Sequence, residues 1–487
     1  MRRSRRTALA VLVVAMVLVI GIAASAYAVT AYIQQEGGSQ SHAYQAWYVA
    51  NAAAVGVSAD GVFNLDNSNV ATWADGYDLG GVGDMKTPTA VGTITGEGQS
   101  LLTITHSNLY SFGSDDYQGA QVVYAGDSGT VITLFDCLVY GDPLAARGLY
   151  VQRGADIVAE KCRIITHASW EGAAVATGYD GGGYIRLHDC EVHSWGSGNS
   201  AAVYSSSAVF VNESTVTAHE SEAVWIDGGG DLGLGWRPSD EKFAVAVYDS
   251  SLYSLKSYGV SLAKGLLTQV ADDSISRFVM VNGYLEAAKE LFYAPNSIGH
   301  ILLWNVDGKA GNGIVLNTKW SGTGPGGGVP TTDDLLPGSR ESNVILESIS
   351  SRLHGDIVTD RDEYTRKDSV VNFLMSGWAT FEGAINKADK GIVNLNMAKE
   401  SVWDVTADSH LGVLNVPTIY SVNASALYRN YYTFVPDLSN IHSNGYTVYY
   451  DSFSNPNLPM IRYDLPGGGA LVPASPTGIL GLWVFGD

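Results

Sequence analysis

An eight-residue pattern recurs six times between residues 102 and 252 of this 487-residue chain. Each copy has an apolar residue, any residue, an apolar residue, two polar or variable residues, serine or cysteine, any residue and an apolar residue. The copies are LTITHSNL (102–109), ITLFDCLV (132–139), IVAEKCRI (157–164), IRLHDCEV (185–192), VFVNESTV (209–216) and VAVYDSSL (245–252). The aligned serine or cysteine residues, Ser107, Cys137, Cys162, Cys190, Ser214 and Ser250, are separated by 30, 25, 28, 24 and 36 residues. Such a period is typical of solenoid proteins.

The spacing within each copy predicts two short strands that meet at a corner. Ile185 and Leu187 are two residues apart, as are Cys190 and Val192, so each pair points to one face of a strand. The three-residue step from Leu187 to Cys190 reverses this parity, and a straight strand would turn one pair outward. A bend at residues 188–189 lets both pairs face inward. The residues then expected to face water are His188, Asp189, Glu191 and His193.

A third strand is expected before each corner. These segments alternate apolar residues, begin with a small residue and mostly end at glycine or serine. They are GAQVVYAG (119–126), RGLYVQRG (147–154), GAAVATG (172–178), SAAVYSSS (200–207), EAVWIDG (222–228) and YGVSLAKG (258–265). Three short strands and three turns in ~25 residues form one coil of a parallel β-helix. The predicted fold class is therefore all-β, a parallel β-helix.

The chain resembles the right-handed parallel β-helix repeat proteins, which include pectate-lyase-like enzymes, autotransporter passengers and bacterial adhesin-like surface proteins. The segment GAAVATGYDGGGYIRLHDCEVHSWG (172–196) and its sibling repeats are most similar to the adhesin-like group. The resemblance extends over about residues 95–310 and is weaker to about residue 450. It implies a right-handed helix, in agreement with the usual hand of parallel crossovers.

The two ends of the chain are expected to differ from the coils. Four arginines, an apolar run and the small-residue sequence Ala26-Tyr27-Ala28 indicate a secretory signal peptide. An uncleaved membrane anchor is the alternative, because the apolar run approaches the ~20 residues that span a bilayer. The terminal caps are expected because an open sheet edge aggregates unless it is covered. The predicted regions are a signal peptide at 1–28, an N-terminal cap at 29–95, a β-helix at 96–430 with inserted loops at 227–242 and 318–341, and a C-terminal cap or tail at 431–487.

The net charge excludes one class of partner. The chain carries a formal charge of −21, which becomes −25 without the four N-terminal arginines. Such an acidic surface repels nucleic acid and gives no electrostatic reason to bind anionic lipid. Contact with a membrane is therefore expected only through the N-terminal segment, if it is uncleaved.

Three cysteines are too few for a disulfide framework. Cys137, Cys162 and Cys190 occupy the same position of three successive repeats, and a ladder of buried thiols is the favoured prediction. A disulfide between neighbouring coils is the alternative, because rungs ~4.8 Å apart fall within the Cα spacing that a disulfide spans.

The stretch LHDCEVHSWG (187–196) contains the residue types of a nucleophilic triad. The repeat argues against that function, because its cysteine faces the core and its histidines face water. Polygalacturonase-like enzymes carry, in order, N-x-D, an Asp pair, His-Gly and R-x-K. Here Asn305-Val306-Asp307 follows the pair Asp272-Asp273, His354-Gly355 is present and R-x-K is missing. Sequence reasoning therefore predicts no catalytic residue.

Two kinds of binding residue are predicted outside the eight-residue pattern. Asp227 and Asp231 flank three glycines and offer the hard oxygen ligands that Ca²⁺ prefers, with ordinary turn aspartates as the favoured alternative. Exposed aromatic residues can stack on sugars or anchor a protein partner, and their alternative is packing beneath loops. The predicted aromatic residues are Trp195, Trp225, Trp236 and Trp320.

The resulting prediction is an exported β-helix, secreted or attached to a cell surface, that acts as an adhesin-like binding or structural module. Its expected partner is a host or cell-surface glycan or protein, and calcium is the one cofactor considered. The alternative is a polysaccharide-active enzyme, either pectate-lyase-like or a glycoside hydrolase, on the same scaffold. The fold alone does not decide between them.

Overall fold

A computed structural model of the protein describes residues 33–50, 54–74, 92–113, 121–142, 147–167, 172–178, 182–196, 201–227, 232–233, 242–263, 275–295, 297–319, 342–361, 367–423, 431–458 and 460–474. Within these ranges the protein is all-β and contains no helix, so it also has no helix that could cross a bilayer there. The predicted signal peptide lies outside the described residues.

The first half of the described chain consists of short strands. In chain order they are β1 (Ile33–Glu36), β2 (Ser39–Ala43), β3 (Ala46–Ala50), β4 (Val55–Ser58), β5 (Val62–Asp66), β6 (Asn69–Ala74), β7 (Gly92–Gly96), β8 (Leu101–Thr105), β9 (Asn108–Gly113), β10 (Gln121–Ala125), β11 (Val131–Phe135), β12 (Leu138–Gly141), β13 (Leu149–Val151), β14 (Ala155–Glu160), β15 (Arg163–Thr166), β16 (Val175–Thr177), β17 (Gly183–His188), β18 (Glu191–Ser194), β19 (Val203–Ser205), β20 (Ala208–Asn212), β21 (Thr215–Ala218) and β22 (Val224–Asp227).

The second half contains longer and less regular strands. They are β23 (Leu232–Gly233), β24 (Lys242–Phe243), β25 (Val245–Tyr248), β26 (Ser251–Ser254), β27 (Val260–Ala263), β28 (Ser276–Ala287), β29 (Phe292–Tyr293), β30 (Ile298–Asn317), β31 (Asn343–Ile349), β32 (Arg352–Val358), β33 (Val370–Ser376), β34 (Thr380–Glu382), β35 (Ile392–Met397), β36 (Val402–Asp404), β37 (Ser409–Leu411), β38 (Leu414–Asn415), β39 (Thr418–Asn423), β40 (Tyr431–Pro436), β41 (Ile441–His442), β42 (Thr447–Asp451), β43 (Tyr463–Asp464) and β44 (Ala470–Ala474).

The strands form three parallel stacks. From β1 to β19, each strand pairs in parallel with the strand three positions later, so three successive strands make one coil. Ile132 in β11, for example, lies opposite Leu102 of the preceding coil and Ile157 of the following one. The first stack begins with β1, the second with β2 and the third with β3. This long parallel sheet is consistent with the predicted β-helix.

From β2 to β34, each corner between the second and third stacks has one residue in the left-handed backbone region. Asp189 has φ of 52°, and its counterparts in the neighbouring coils, Lys161 and Glu213, have φ of 54° and 47°. This residue supplies the predicted bend and brings Leu187 and Cys190 onto the same inner side, where both are buried. His188, Asp189 and Glu191 are exposed as expected, whereas His193 is half-buried.

Replacing Asp189 with valine is expected to lower the free energy of unfolding by about 1–2 kcal/mol, because a β-branched side chain is strained at this φ. Asp189→Gly is the matched control and should cost less than about 0.5 kcal/mol, since glycine adopts this conformation without strain. Urea unfolding followed by circular dichroism measures both. Equal losses in the two variants would contradict the assignment of strain to this corner.

The serine or cysteine of each corner forms a hydrogen-bond ladder inside the coils. The Ser214 hydroxyl donates to the carbonyl oxygen of Asn212 at 2.7 Å and accepts the backbone N–H of Cys190 at 2.9 Å. The Cys190 thiol in turn donates to the carbonyl oxygen of His188 at 3.3 Å. Cys137, Cys162 and Cys190 are all free and buried, which confirms the predicted ladder of thiols. The Cys190 side chain is thus buried, whereas His188 of the same stretch is exposed.

The coils extend further than the predicted boundaries. Strands β1–β6, within the region expected to be an N-terminal cap, pair as coils with the strands that follow. Ser68 stands at the corner position, because residues 63–70 (FNLDNSNV) are a further copy of the repeat. Within the region expected to be a C-terminal cap, β42 pairs in parallel with β37 and β44. An antiparallel hairpin, β39–β40, is inserted between β38 and β41.

An insertion also covers part of the second stack. Residues of the predicted loop 227–242 contribute a short antiparallel pair, β23–β24. Beside it, Phe243 packs with the outward-facing Val279 and Leu302 in a second apolar cluster, and all three are fully buried. The outer surface of the second stack is therefore covered in these coils. The predicted loop 318–341 lies almost entirely outside the described residues.

Candidate functional site

An open groove of about 450 Å³ lies on the outer surface of the second stack. Its lining comes from β31, β33, β35 and β38, whose outward side chains align because the strands are in register. The lining residues in one column are Glu347, Leu374, Asn396 and Asn415, and those in the next column are Ile349 and Ser376. Pro417, just before the hairpin β39–β40, also lines the groove. Three rung spacings, about 14 Å, separate its first and last rungs.

The groove combines amides, one carboxylate and apolar side chains. The Asn415 side-chain amide donates to Oδ1 of Asn396 at 2.5 Å, so these two side chains hold each other in place. Glu347 Oε1 lies 3.3 Å from Nε2 of the buried His300. Glu347 is the single charged residue among the lining residues that the structure describes. Such a surface suits a ligand that is rich in hydroxyl groups and has no strong charge.

Two exposed tryptophans are neighbours of residues that line the groove. Trp304 lies directly opposite Ile349 on the neighbouring strand and is 42% exposed. Trp378 follows Ser376 by two residues and is 75% exposed. Neither was among the predicted aromatic residues. Trp304 has a sequence signal, because it is two residues after Leu302 in an alternating strand, whereas Trp378 lies in a turn where alternation carries no information.

The predicted aromatic residues have different outcomes. Trp195 is 46% exposed, but its ring is stacked between two imidazoles: His167 at 5.7 Å between centroids and His219 at 3.5 Å, with interplanar angles of 1° and 7°. Its ring faces are thus occupied. The prediction that Trp225 is an exposed binding residue is wrong, because it packs against Ala201 and Tyr204 and is only 6% exposed. Trp236 and Trp320 lie outside the described residues.

The residues around Trp195 form a column of rings on the third stack. Burial lowers the pKa of His167, and burial together with the nearby His193 lowers the pKa of His219 to about 4. The imidazole of His219 is therefore neutral at neutral pH. Nδ1 of His193 lies 3.2 Å from Nε2 of His219, and the other ring nitrogen of His193 lies 2.7 Å from Oε1 of Glu191. Sequence reasoning treated His193 as a solvated residue and missed this pair.

The calcium prediction rests on one described residue. Asp227 is 3% exposed, and its Oδ2 accepts the hydroxyl of Tyr204 at 2.9 Å, so that oxygen faces the neighbouring coil. Asp231 lies outside the described residues. In the described ranges, no group of three or more His, Cys, Asp or Glu side chains is gathered so that it could hold a metal ion.

Two of the three fragments that resemble polygalacturonase motifs lie among the described residues. Asn305 has φ of 53° and occupies a corner like that of Asp189, so its motif is part of the repeat. His354 Nδ1 lies 3.0 Å from Glu382 Oε2, and both side chains are more than half exposed. The pair Asp272-Asp273 lies outside the described residues.

Comparison of the chain with protein-family models and with curated protein sequences finds no match. The site must therefore be interpreted from its own chemistry.

Proposed function

We propose that this protein is an exported right-handed parallel β-helix that acts as an adhesin-like binding module for neutral glycans. The observation that carries the proposal is the groove on the second stack, together with the exposed Trp304 and Trp378 beside its lining residues Ile349 and Ser376. Tryptophan rings present large apolar faces to sugar rings, while the amides of Asn396 and Asn415 offer donors and acceptors for hydroxyl groups. About 14 Å of floor accommodates a short oligosaccharide.

The charge distribution favours a neutral ligand over an acidic one. The chain has a net charge of −21, and the described lining of the groove contains Glu347 but no lysine or arginine. A polyuronate would therefore meet repulsion with no cation to offset it. A protein partner remains the second ligand class expected from the sequence.

The remaining assignments stay predictions of the sequence. They are secretion or attachment to a cell surface, membrane contact only through an uncleaved N-terminus, and calcium at Asp227 and Asp231. The enzymatic alternative, a lyase or glycoside hydrolase, requires carboxylates that face each other across the sugar, ~6.5–9.5 Å apart in the inverting case.

Binding to a panel of polysaccharides tests the proposal. The mature chain should be retained by at least one neutral polymer, such as xylan, mannan or cellulose, more strongly than by polygalacturonate or alginate. The bound polymer should be recovered without new reducing or unsaturated ends. Release of such ends would replace the binding function by the enzymatic one, and retention by the acidic polymers alone would overturn the neutral-glycan assignment.

A further inference from the structure

Two histidines on neighbouring coils of the third stack point their ring nitrogens at each other. His193 belongs to β18, and His219 directly follows β21, the strand that pairs with β18. Nδ1 of His193 lies 3.2 Å from Nε2 of His219. The pair is separate from the groove, which lies on the second stack.

Glu191 orients His193 within this pair. Nε2 of His193 lies 2.7 Å from Oε1 of Glu191, so the hydrogen on that nitrogen points at the carboxylate and Nδ1 is turned toward the other ring. One proton on either of the two facing nitrogens makes their contact a hydrogen bond. A metal cation that binds both nitrogens takes the place of that proton.

The distance between these two ring nitrogens is close to the distance between two imidazole ligands of one tetrahedral metal ion. Zinc binds imidazole nitrogen at about 2.0–2.1 Å, so two such ligands of one ion are about 3.3–3.4 Å apart. The observed 3.2 Å places the two nitrogens at nearly this separation, and the rings must tilt so that both lone pairs converge on the ion. Binding of the ion displaces the proton between the two nitrogens to solvent or to Nδ1 of His219, so that each facing nitrogen offers a lone pair.

Both rings are held in position by contacts that a ligand pair needs. The His219 ring stacks on Trp195 with 3.5 Å between centroids. Glu191 is fixed by the guanidinium of Arg163 at 3.1 Å and orients His193, which is the carboxylate–histidine arrangement found behind metal ligands. The side chain of His193 is 19% exposed, so water has access to complete the coordination.

We propose that His193 and His219 bind one divalent transition-metal ion of the kind that prefers imidazole, zinc, nickel or copper, with water in the remaining positions. Glu191 acts from the outer shell. Calcium does not suit this pair, because it takes oxygen ligands. The site is therefore distinct from the calcium prediction at Asp227.

This site can be tested by titrating the metal-stripped full chain with Zn²⁺ in an isothermal calorimeter. One ion should bind per chain, and Cu²⁺ or Ni²⁺ should quench the fluorescence of Trp195, measured as the difference from a Trp195→Phe variant. His193→Asn or His219→Asn should abolish measurable binding, and Glu191→Gln should weaken it by about tenfold.

His167→Asn is the matched control, because His167 stacks on the opposite face of Trp195 but does not take part in the pair. It should keep the wild-type affinity for Zn²⁺. Unchanged Zn²⁺ binding in a folded double variant of His193 and His219, or no Zn²⁺ binding by the wild type, would overturn the proposal. Since neither result involves the groove, glycan binding is judged separately.

Discussion

Replacing both Trp304 and Trp378 with alanine is expected to abolish binding of whichever neutral polysaccharide the panel selects. Exposed tryptophans that pack on a ligand commonly contribute more than about 1–2 kcal/mol each, so either single substitution should weaken binding by about five- to thirtyfold. Trp304 lies opposite Ile349, which lines the groove. Loss of a ligand contact there should appear as faster dissociation, because mutations within one interface act mainly on the dissociation rate. Oligosaccharides of that polymer, titrated by calorimetry, measure the affinity.

Trp195→Ala is the control for these variants. Trp195 is also partly exposed, yet it lies on the third stack between two imidazoles, so its removal should leave glycan binding unchanged. Retention of wild-type affinity by the folded Trp304 and Trp378 double variant would remove the groove as the site. Weakening by Trp195→Ala alone would move the site to the third stack.

The alternation of inward and outward side chains along each strand explains why the coils could be predicted from the sequence. Two apolar pairs separated by a three-residue step can share one core only if the chain bends between them, and the left-handed Asp189 supplies that bend. The pattern is harder to recognise in coils that lack the serine or cysteine at the corner. Gly283 and Val306 occupy the corner position in β28 and β30, and these long strands run through the corner.

The candidate site was harder to predict because no single segment contains it. The groove takes one residue of this column from each of several coils: Glu347, Leu374, Asn396 and Asn415 are 27, 22 and 19 residues apart, and no one residue type is common to the four. Its border at Pro417 depends on an inserted hairpin. The column of rings on the third stack could have been predicted from the sequence, because His167, Trp195 and His219 each lie five residues after the corner cysteine or serine.

Burial of Trp225 shows the limit of reasoning from parity alone. Val224 and Ile226 belong to the main core, so Trp225 does point away from it, as alternation predicts. The ring is nevertheless buried, because Tyr204 of the preceding coil meets it at 5.8 Å between centroids. Alternation along a strand determines whether a side chain points toward the core or away from it. Its exposure also depends on the residue that lies opposite it in the neighbouring coil, and the sequence does not give the register between coils.

Leu187→Ala is expected to be the most destabilising of the single substitutions considered, with a loss of about 2–5 kcal/mol in the free energy of unfolding. Leu187 is fully buried between Ala159 and Val211 of the adjacent coils. Ala159 offers only a methyl group, and the flanking strands are held apart by backbone hydrogen bonds, so the cavity cannot collapse. The shift of the urea-unfolding midpoint measures the loss.

His188→Ala is the matched control, one residue further along the same strand. His188 is exposed, and its side-chain hydrogen bond to Asn212 at 2.9 Å lies at the surface, so the expected change is within about 0.5 kcal/mol. The contrast between adjacent positions tests the corner directly, because the inward and outward sets exchange if the register slips by one residue. Equal destabilisation by the two substitutions would contradict this corner, and with it the alignment that places Cys190 in the core.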